Sequence, residues 1–380
     1  MHDVDPFSPI AVNGVVLPNR FVRSATHDGS ADDSGRVTQR SLSLFRDLAE
    51  GDIGLIVTGY AYVSSGGQAV EDQYGVHRDE MIPGLARLAE EVHRAGGTVA
   101  LQVAHAGMQS LFFKHRGLSC PAVSQIEGSS FLHREMSGDE IESVIRDFGA
   151  AGARAREAGF DAVQLHGAHG YLFSQFLSPL RNRRTDIWGG SAENRRRFHI
   201  EVVRELRSRV GPRFPLLIKF GVMDDDPGGV TLEEGVAAAR EMAAAGVDAI
   251  EVSFGIGGGF MKRILGRRSA AVDEQPYFRQ RAAAVKGALS IPVMLAGGIR
   301  SMEAAREILD AGDADMVSMS RPFVREPWLV KRWREGDDRP ANCISCNQCF
   351  RPVRETDGLP DSYCWQEYLS RRRGTVPEGE

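Results

Sequence analysis

The sequence predicts a (β/α)₈ barrel, an α/β fold in which eight parallel strands alternate with helices. Short apolar runs of strand length recur along the 380 residues, and stretches rich in Ala, Glu and Arg separate them. Three of the repeats resemble one another closely: AGFDAVQLH (158–166), AGVDAIEVS (245–253) and AGDADMVSMS (311–320). Strands that alternate with helices indicate parallel βαβ units, and eight of them suggest a closed barrel. An open, doubly wound sheet is the alternative architecture.

Each repeated unit shows the same local signals in the same order. A glycine ends the helix-like stretch, where a left-handed backbone is favoured. The Val, Ile and Leu runs that follow are typical of parallel strands that are covered on both faces. The eight strands are predicted near Arg20–Ser24, Ile53–Thr58, Val99–Val103, Ala162–Leu165, Leu216–Phe220, Ala249–Val252, Val293–Leu295 and Met316–Met319.

The composition is that of an ordinary globular protein, with 42% hydrophobic and 26% charged residues. The 46 basic and 51 acidic residues give a formal net charge of −5. The sequence therefore lacks the excess of basic residues that is typical of nucleic-acid-binding proteins, and no nucleic-acid partner is predicted. The opening MHDVDPFSPI lacks the basic start and apolar run of a secretory signal. No apolar run reaches the ~18 residues that a membrane helix needs. These features predict a cytoplasmic protein without a membrane partner.

Polar side chains follow the predicted strands at their carboxyl ends, where barrel enzymes carry their reactive groups. Strand one leads into Ser24-Ala25-Thr26-His27, and strand two leads into Gly59-Tyr60. Gln102 lies on strand three, and Lys219 lies inside the apolar run LLIKF of strand five. A buried lysine needs a partner, so Lys219 either forms a salt bridge within the barrel or faces an anionic ligand.

Two further strand ends suggest a phosphate site. Gly297-Gly298 precede the helical segment SMEAAREIL, and Ser320-Arg321 end strand eight. Glycines let backbone N–H groups approach an anion, and a guanidinium adds a bidentate cation. Barrels often bind phosphate after strands seven and eight. The alternative is a tight turn beside an arginine that pairs with a nearby acid.

The loop after strand four carries two imidazoles and a phenol, in the run His166-Gly-Ala-His169-Gly-Tyr171. Histidine can donate a hydrogen bond to a developing oxyanion, and tyrosine can deliver a proton as a general acid. The two histidines could also bind a metal, but no carboxylate or third histidine lies close in sequence. A single histidine is more often structural and a single tyrosine usually packs in the core, and that interpretation stays open. Three such groups on one strand-end loop nevertheless favour a catalytic role for His166, His169 and Tyr171.

Together these motifs resemble the Old Yellow Enzyme family (NADH:flavin oxidoreductase / NADH oxidase) of FMN-dependent oxidoreductases. The resemblance runs from PNRFVRSATHDG through LQVAHAG, LHGAHGYLFSQFLSPLRNRRTDIWGGSAENRRRF and LAGGIR to SRPFVREP. The long middle motif is highly specific. The resemblance implies an FMN-binding barrel over residues 1–340, with NAD(P)H as reductant.

The resemblance also implies a role for each matching residue. Gln102 would contact the pyrimidine edge of the flavin, and Lys219 would lie near its N1/O2 region. His166 and His169 would bind a substrate carbonyl oxygen, and Tyr171 would be the proton donor. The implied cofactor-binding set is Ser24, Ala25, Thr26, Gly59, Gln102, His166, Lys219, Gly297, Gly298, Ser320 and Arg321.

The implied reaction is reduction of the C=C bond of an enone-type substrate. NAD(P)H reduces the flavin, flavin N5 passes a hydride to the substrate, and Tyr171 protonates the neighbouring carbon. Three other functions stay open. They are a flavin dehydrogenase or demethylase that passes electrons to a partner, a non-redox barrel enzyme with a phosphorylated ligand, and a flavin-binding electron carrier. A homo-oligomer is also open.

A cysteine cluster lies in a C-terminal extension, residues 341–380. NCISCNQCF and Cys364 give the spacing C-x₂-C-x₂-C-x₁₄-C for Cys343, Cys346, Cys349 and Cys364. A local cluster in a large chain suggests metal rather than disulfides. It resembles the iron–sulfur motif of the branch with 2,4-dienoyl-CoA reductase and trimethylamine dehydrogenase, although the final spacing is longer. A [4Fe–4S] cluster, tetrahedral zinc and free thiols stay open. The loop RPVRETDGLPDSY is expected to fold back and bring Cys364 to the others.

Overall fold

The structure is a computed structural model that describes residues 4–257, 276–349 and 363–372. Its strands, in chain order, are β1 (Ile10–Val12), β2 (Val15–Leu17), β3 (Phe21–Arg23), β4 (Leu55–Val57), β5 (Ala61–Tyr62), β6 (Val99–Ala104), β7 (Cys120–Ala122), β8 (His133–Glu135), β9 (Ala162–Gly167), β10 (Leu216–Gly221), β11 (Ala249–Ser253), β12 (Val293–Ala296) and β13 (Met316–Met319).

Eight of these strands form a closed parallel barrel. They pair in the order β4-β3-β13-β12-β11-β10-β9-β6, and a parallel pairing of β4 with β6 closes the circle. The (β/α)₈ prediction is therefore confirmed, and the open doubly wound sheet is excluded because that sheet would have two free edges. Each of the eight predicted strands overlaps one of these barrel strands.

Helices surround the barrel on its outer side. They are α1 (Gln39–Glu50), α2 (Ile82–Arg94), α3 (Leu111–His115), α4 (Gly138–Glu157), α5 (Leu172–Leu177), α6 (Ala192–Val210), α7 (Leu232–Ala245), α8 (Arg279–Lys286), α9 (Met302–Asp310), α10 (Arg321–Arg325), α11 (Leu329–Arg334) and α12 (Trp365–Arg372). Capping boxes at Thr38, Ser137 and Thr231 start α1, α4 and α7, because each side chain accepts a bond from a backbone N–H of the first turn. No helix within the described ranges is long and apolar enough to cross a membrane.

A hairpin of β1 and β2 closes the amino-terminal end of the barrel. Asn13 and Gly14 form its two-residue turn with φ values of 43° and 86°, which is the backbone that an Asn-Gly turn favours. Val12 and Leu17 of the hairpin pack into the apolar cluster inside the barrel. Among the described residues, the hairpin covers the amino-terminal end and leaves the carboxyl end of the barrel to a ligand. The sequence analysis missed this hairpin.

The cysteine-bearing segment 341–349 lies against the barrel rim. Ala341 N donates to Arg300 O at 2.7 Å, and Arg300 Nη1 donates to Cys343 O at 2.8 Å. Residues 350–362, which include most of the loop expected to fold back, lie outside the described residues.

Candidate active site

The interior of the barrel changes from apolar to polar towards its carboxyl end. Residues two positions apart on a strand face the same side. The lower interior layer belongs to one apolar cluster and includes Val22, Ala162, Leu217, Ala249 and Met316. Two positions further along the same strands stand Ser24, Gln164, Lys219, Glu251 and Ser318, and all of them are buried. The strand periodicity therefore builds a polar layer directly below the open end.

Glu251 lies at the centre of this polar layer and is fully buried. Its Oε1 accepts hydrogen bonds from Ser24 Oγ at 2.6 Å and Ser318 Oγ at 2.7 Å. Its Oε2 accepts one from Gln164 Nε2 at 3.0 Å. Gln164 Oε1 in turn accepts from Gln102 Nε2 at 2.6 Å. The predicted residues Ser24 and Gln102 are thus joined through two residues that the sequence analysis missed.

Lys219 is the cation of the same network. Its Nζ lies 3.6 Å from Glu251 Oε1, and it donates to Ser24 Oγ at 2.7 Å and to Ala25 O at 3.3 Å. Burial is the main effect on the pKa of Lys219 and lowers it, while the Glu251 carboxylate opposes this change. The salt bridge that the sequence left open is present, and it holds the ammonium group beside the end of β3.

The two predicted histidines and the tyrosine come together at the end of β9. The rings of His166 and His169 lie 5.1 Å apart at 88°, and those of His166 and Tyr171 lie 4.8 Å apart at 31°. His169 Nε2 is 2.8 Å from Ser253 Oγ, and the backbone of His169 has a φ of 62°. A left-handed conformation is unusual for histidine, so the loop accepts local strain to turn these side chains together.

Burial fixes the protonation states of this cluster. It lowers the pKa of His166 to about 3, with a smaller contribution from the Lys219 charge. It lowers the pKa of His169 well below the usual value, helped by His166 and Lys219. It raises the pKa of Tyr171. At neutral pH the cluster therefore consists of two neutral imidazoles and a protonated phenol.

Tyr60 completes this aromatic group, and the sequence analysis did not select it. Tyr60 follows β4, and its hydroxyl lies 3.2 Å from that of Tyr171. Its ring meets that of His166 edge-on, with centroids 5.7 Å apart at 89°. Burial raises the pKa of Tyr60 well above the usual value, and Tyr171 adds to this rise.

Gly59 lies in a space that no larger residue can share. A Cβ at this position would lie 2.8 Å from Asp28 Oδ2 and 3.1 Å from Thr26 O. Thr26 Oγ1 is itself 2.7 Å from Ser320 Oγ, which connects the ends of β3 and β13. The first, second and eighth barrel strands thus meet through small side chains.

A cleft at the ends of β12 and β13 unites the predicted phosphate residues. Gly297 and Gly298 have φ values of 93° and 85°, a backbone that favours glycine. A Cβ on Gly297 would lie 3.1 Å from the Phe278 ring. The cleft is lined by Ser24, Gly297, Gly298, Ile299, Arg300, Ser318, Met319, Ser320, Arg321, Pro322 and Ser345. All four predicted phosphate residues are among them, and the donor set of glycine backbone, hydroxyls and two guanidinium groups suits a phosphate.

The four cysteines line a second, smaller cavity beside this cleft. Cys343, Cys346, Cys349 and Cys364 surround it together with Arg321 and Arg325. Burial, with smaller contributions from the other three thiols, raises the pKa of Cys349 to about 12. In the described part of the chain, no three His, Cys, Asp or Glu side chains are arranged to hold a metal ion. The fifth cysteine, Cys120, is buried in β7.

The geometry and the sequence agree with a known family. The profile of the NADH:flavin oxidoreductase / NADH oxidase family matches residues 5–339. The chain belongs to this family. Membership confirms the resemblance that the motifs indicate.

Two curated relatives and one solved structure of the family show how far the likeness extends. NADH oxidase of Thermoanaerobacter brockii is 36% identical over 351 residues, which are 91% of this chain and 53% of that protein. NADPH dehydrogenase of Bacillus subtilis is 31% identical over 326 residues, 86% of this chain and 93% of that protein. A 2-naphthoyl-CoA reductase in complex with 2-naphthoyl-CoA has a TM-score of 0.83 at 27% identity, over 90% of this chain and 54% of that one. The chain spans about half the length of the first and the last of these.

Several residues of the site were not predicted from the sequence, although the sequence contains a signal for each of them. Glu251 interrupts the apolar run AIEVS as Lys219 interrupts LLIKF. The two residues are register partners on β11 and β10. Gln164 is the register partner of Gln102. Arg300 follows the Gly297-Gly298 pair after Ile299 and lines the same cleft. For Glu251 and Gln164 the signal was a polar residue inside a strand that is otherwise apolar.

Proposed function

We propose that the protein is an FMN-dependent NAD(P)H oxidoreductase that reduces the C=C bond of α,β-unsaturated carbonyl compounds. The observation that carries the proposal is the group of two neutral imidazoles and one protonated phenol at the open end of the barrel. Uncharged donors that are already oriented can stabilise negative charge on a carbonyl oxygen with little reorganisation.

The residues around the opening fit FMN. Gly297, Gly298, Ser320 and Arg321 would hold its phosphate. The resemblance to the family would place Gly59 beside the ring. Ser24, Ala25, Thr26 and Gln102 would contact the ring system, and Lys219 would face its pyrimidine edge. FMN, when bound, would supply the acceptor and donor of hydride, a reaction that no protein side chain can carry out.

His166 and His169 would bind the substrate carbonyl oxygen. Ala168 N donates to His166 Nδ1 at 3.4 Å, so Nε2 of His166 carries the proton and is the donor to a ligand. Nε2 of His169 is 2.8 Å from Ser253 Oγ. A hydrogen bond donated by this hydroxyl to Nε2 would leave the proton on Nδ1, which would be the donor to the ligand. Hydrogen bonds from both rings polarise the carbonyl group and make the β-carbon electrophilic.

Tyr171 would then protonate the α-carbon. Burial raises its pKa, so the phenol keeps its proton at neutral pH until a stronger base forms beside it. An enolate-like oxygen held by His166 and His169 directs basicity to the α-carbon of the substrate. The acid and the two oxyanion donors thus have separate roles, although they share one short loop.

A second candidate function is a flavin dehydrogenase or demethylase that passes electrons to a partner. It is favoured by one observation: Arg321 lines both the phosphate cleft and the cysteine cavity. Under this proposal residues 1–340 form the FMN barrel, and residues 341–380 hold a [4Fe–4S] cluster or zinc through the four cysteines.

The two functions are separated by one set of measurements on the purified protein. An ene-reductase oxidises NAD(P)H steadily only when 2-cyclohexenone is present, and it yields the saturated ketone. A dehydrogenase reduces an artificial one-electron acceptor while it oxidises its own organic substrate. Bound FMN without enone-dependent NAD(P)H oxidation would contradict the first function. Iron and zinc analysis of protein prepared without oxygen tests the metal.

A further inference from the structure

Tyr60 occupies an unusual position in this site. It is half-buried, it follows the second barrel strand, and its hydroxyl is 3.2 Å from the hydroxyl of Tyr171. Its ring makes edge contacts with both Tyr171 and His166, at centroid distances of 5.6 and 5.7 Å. A single side chain therefore contacts the proton donor and one of the two carbonyl-binding groups.

Among the described residues around Tyr171, few other groups could stabilise a phenolate. His166 and His169 are neutral, and Lys219 already binds Glu251, Ser24 and Ala25. Asp28 contributes to the raised pKa of Tyr60 and so disfavours a further anion there, and the His27 ring lies 5.7 Å from that of Tyr60. Within the described residues, the hydroxyl of Tyr60 is the hydrogen-bond partner recorded for that of Tyr171.

We propose that Tyr60 is a positioning residue that orients the Tyr171 hydroxyl, donates a hydrogen bond to the phenolate that forms when Tyr171 gives up its proton, and returns a proton to it. This inference rests on the proposed function, because it requires Tyr171 to be the proton donor.

The protons balance in three transfers. The Tyr171 proton moves to the α-carbon of the substrate, and the Tyr60 proton moves to the Tyr171 oxygen. Tyr60 takes a proton from water as it gives up its own, so no separate Tyr60 phenolate forms, and water reaches Tyr60 because its side chain is partly exposed. No electron passes through either phenol. The net result is that one solvent proton enters the product in each turnover.

The Tyr60→Phe variant tests this inference by stopped-flow reduction of 2-cyclohexenone by the reduced enzyme, measured against pH. Without the donor, the Tyr171 phenolate loses stabilisation, so the pKa of Tyr171 rises. The rate falls where Tyr171 deprotonates, and therefore the alkaline limb should move to higher pH. The plateau rate should fall by about tenfold, because a weaker acid transfers its proton more slowly. Flavin reduction by NADPH should stay unchanged.

Tyr62→Phe is the matched control. Tyr62 is two residues away, and its hydroxyl donates to Ser34 O at 3.4 Å rather than to the site. This variant should keep the wild-type plateau and the wild-type limb. In a Tyr171→Phe background, Tyr60→Phe should have no further effect, because the two changes remove one shared function.

Three results would overturn the inference: a lower plateau with an unmoved alkaline limb, an unchanged rate, or additive losses in the double variant. If Tyr171→Phe itself reduced the enone at the wild-type rate, the proposed function would fail instead. Should Tyr60→Phe not fold, a proton inventory of the wild type decides. Two protons in flight give a curved dependence on the deuterium fraction, and a straight line contradicts the relay.

Discussion

The barrel opening and the cysteine segment both gather reactive side chains, but they do so by different means. In the opening, Lys219 and Glu251 are register partners on neighbouring parallel strands, and so are Gln102 and Gln164. In the segment, Ser345 and Asn347 have φ values of 54° and 55°, and the segment is held through bonds to Arg300 and Arg321. The reactive side chains on the strands are positioned by the regular strand register, whereas those of the segment are positioned by individual hydrogen bonds.

The two regions also differ in how ready their side chains are to react. The imidazoles of the opening are neutral without any ligand, which is the state that the proposed reaction needs. The buried thiols of Cys343 and Cys349 have raised pKa values, so they stay protonated until a cation competes for them. The opening is therefore pre-organised for the proposed reaction, whereas a metal would have to displace protons from the thiols of the segment.

The largest effect is expected at Tyr171. Tyr171→Phe removes the proton donor from the pre-organised region and should slow substrate reduction by about 10²–10⁴-fold. Flavin reduction by NAD(P)H should be spared because no carbon is protonated in that step. Stopped-flow measurement of each half-reaction checks this, and equal slowing of both would contradict the role of Tyr171.

The next effect concerns the buried pair below the opening. Lys219→Met leaves the Glu251 carboxylate without its cation in a fully buried position, which typically costs about 3–5 kcal/mol of stability. The double variant Lys219→Met/Glu251→Gln removes both charges and should regain much of that loss. Urea unfolding of the three apoproteins gives the comparison. If the single and double variants are equally unstable, the pair does not act as a unit.

Lys219→Met should also make bound flavin harder to reduce. The cation that would face the reduced ring is lost, so the midpoint potential should shift downward. A redox titration of the FMN-loaded variant measures this, and an unchanged or higher potential would show that Lys219 serves Glu251 alone.

Much of the fold and the opening could be predicted from the sequence, because both follow from repeats. Apolar runs at regular spacing gave all eight barrel strands, and their carboxyl ends gave His166, Tyr171 and the glycine pair. The β1–β2 hairpin was missed although Asn13-Gly14 is a strong hairpin signal, because the repeats drew attention to parallel units. Glu251 was missed because its role depends on closure of the barrel, which brings Ser24 and Ser318 beside it.

The cysteine segment could be predicted only in part. The spacing of Cys343, Cys346 and Cys349 indicated a shared site, and the structure places them with Cys364 around one cavity. The contact of Asn347 with Arg321 could not be foreseen, because two loops without a common repeat meet there. The same holds for Ser345, which joins the wall of the phosphate cleft.

A smaller effect is expected at His199, a buried histidine that lies outside the proposed active site. His199 lies on α6 among Phe173, Phe198 and Phe220, and in the described residues neither of its ring nitrogens has a hydrogen-bond partner. Burial lowers its pKa to about 3, as it does for His166. The unfolded chain takes up a proton at His199 below its ordinary pKa of about 6.5, so the stability that the neutral ring provides is lost as pH falls from there.

His199→Phe should remove this pH dependence. At pH 5 protonation of the free imidazole stabilises the unfolded wild type by about 2 kcal/mol, which lowers its free energy of unfolding by the same amount. The variant has no imidazole at this position and should not show this decrease. Urea unfolding at pH 7 and pH 5 measures the difference. The exposed His115→Gln variant is the control and should follow the wild type. A variant that loses as much stability as the wild type between these pH values would show that other groups cause the acid sensitivity.

The smallest effect is expected at Cys346, and it tests whether the two regions are independent. Ser345, the neighbour of Cys346, lines the phosphate cleft, and Arg321 lines both cavities. Loosening the segment should therefore weaken FMN binding as well as metal binding. Cys346→Ala should lower the iron or zinc content and raise the Kd for FMN by about tenfold, the equivalent of one hydrogen bond to a charged group.

The control variant Cys120→Ala, at a buried cysteine of β7, should change neither the metal content nor the Kd for FMN. Flavin fluorescence titration with metal analysis of protein prepared without oxygen gives both values. If the metal is lost while the Kd for FMN stays the same, the segment is only attached to the barrel. If the variant loses FMN but keeps its metal, FMN binding depends on the position of Ser345 in the cleft rather than on metal binding. In that case the cleft is shaped by the backbone conformation of the segment and not by what the cysteines bind.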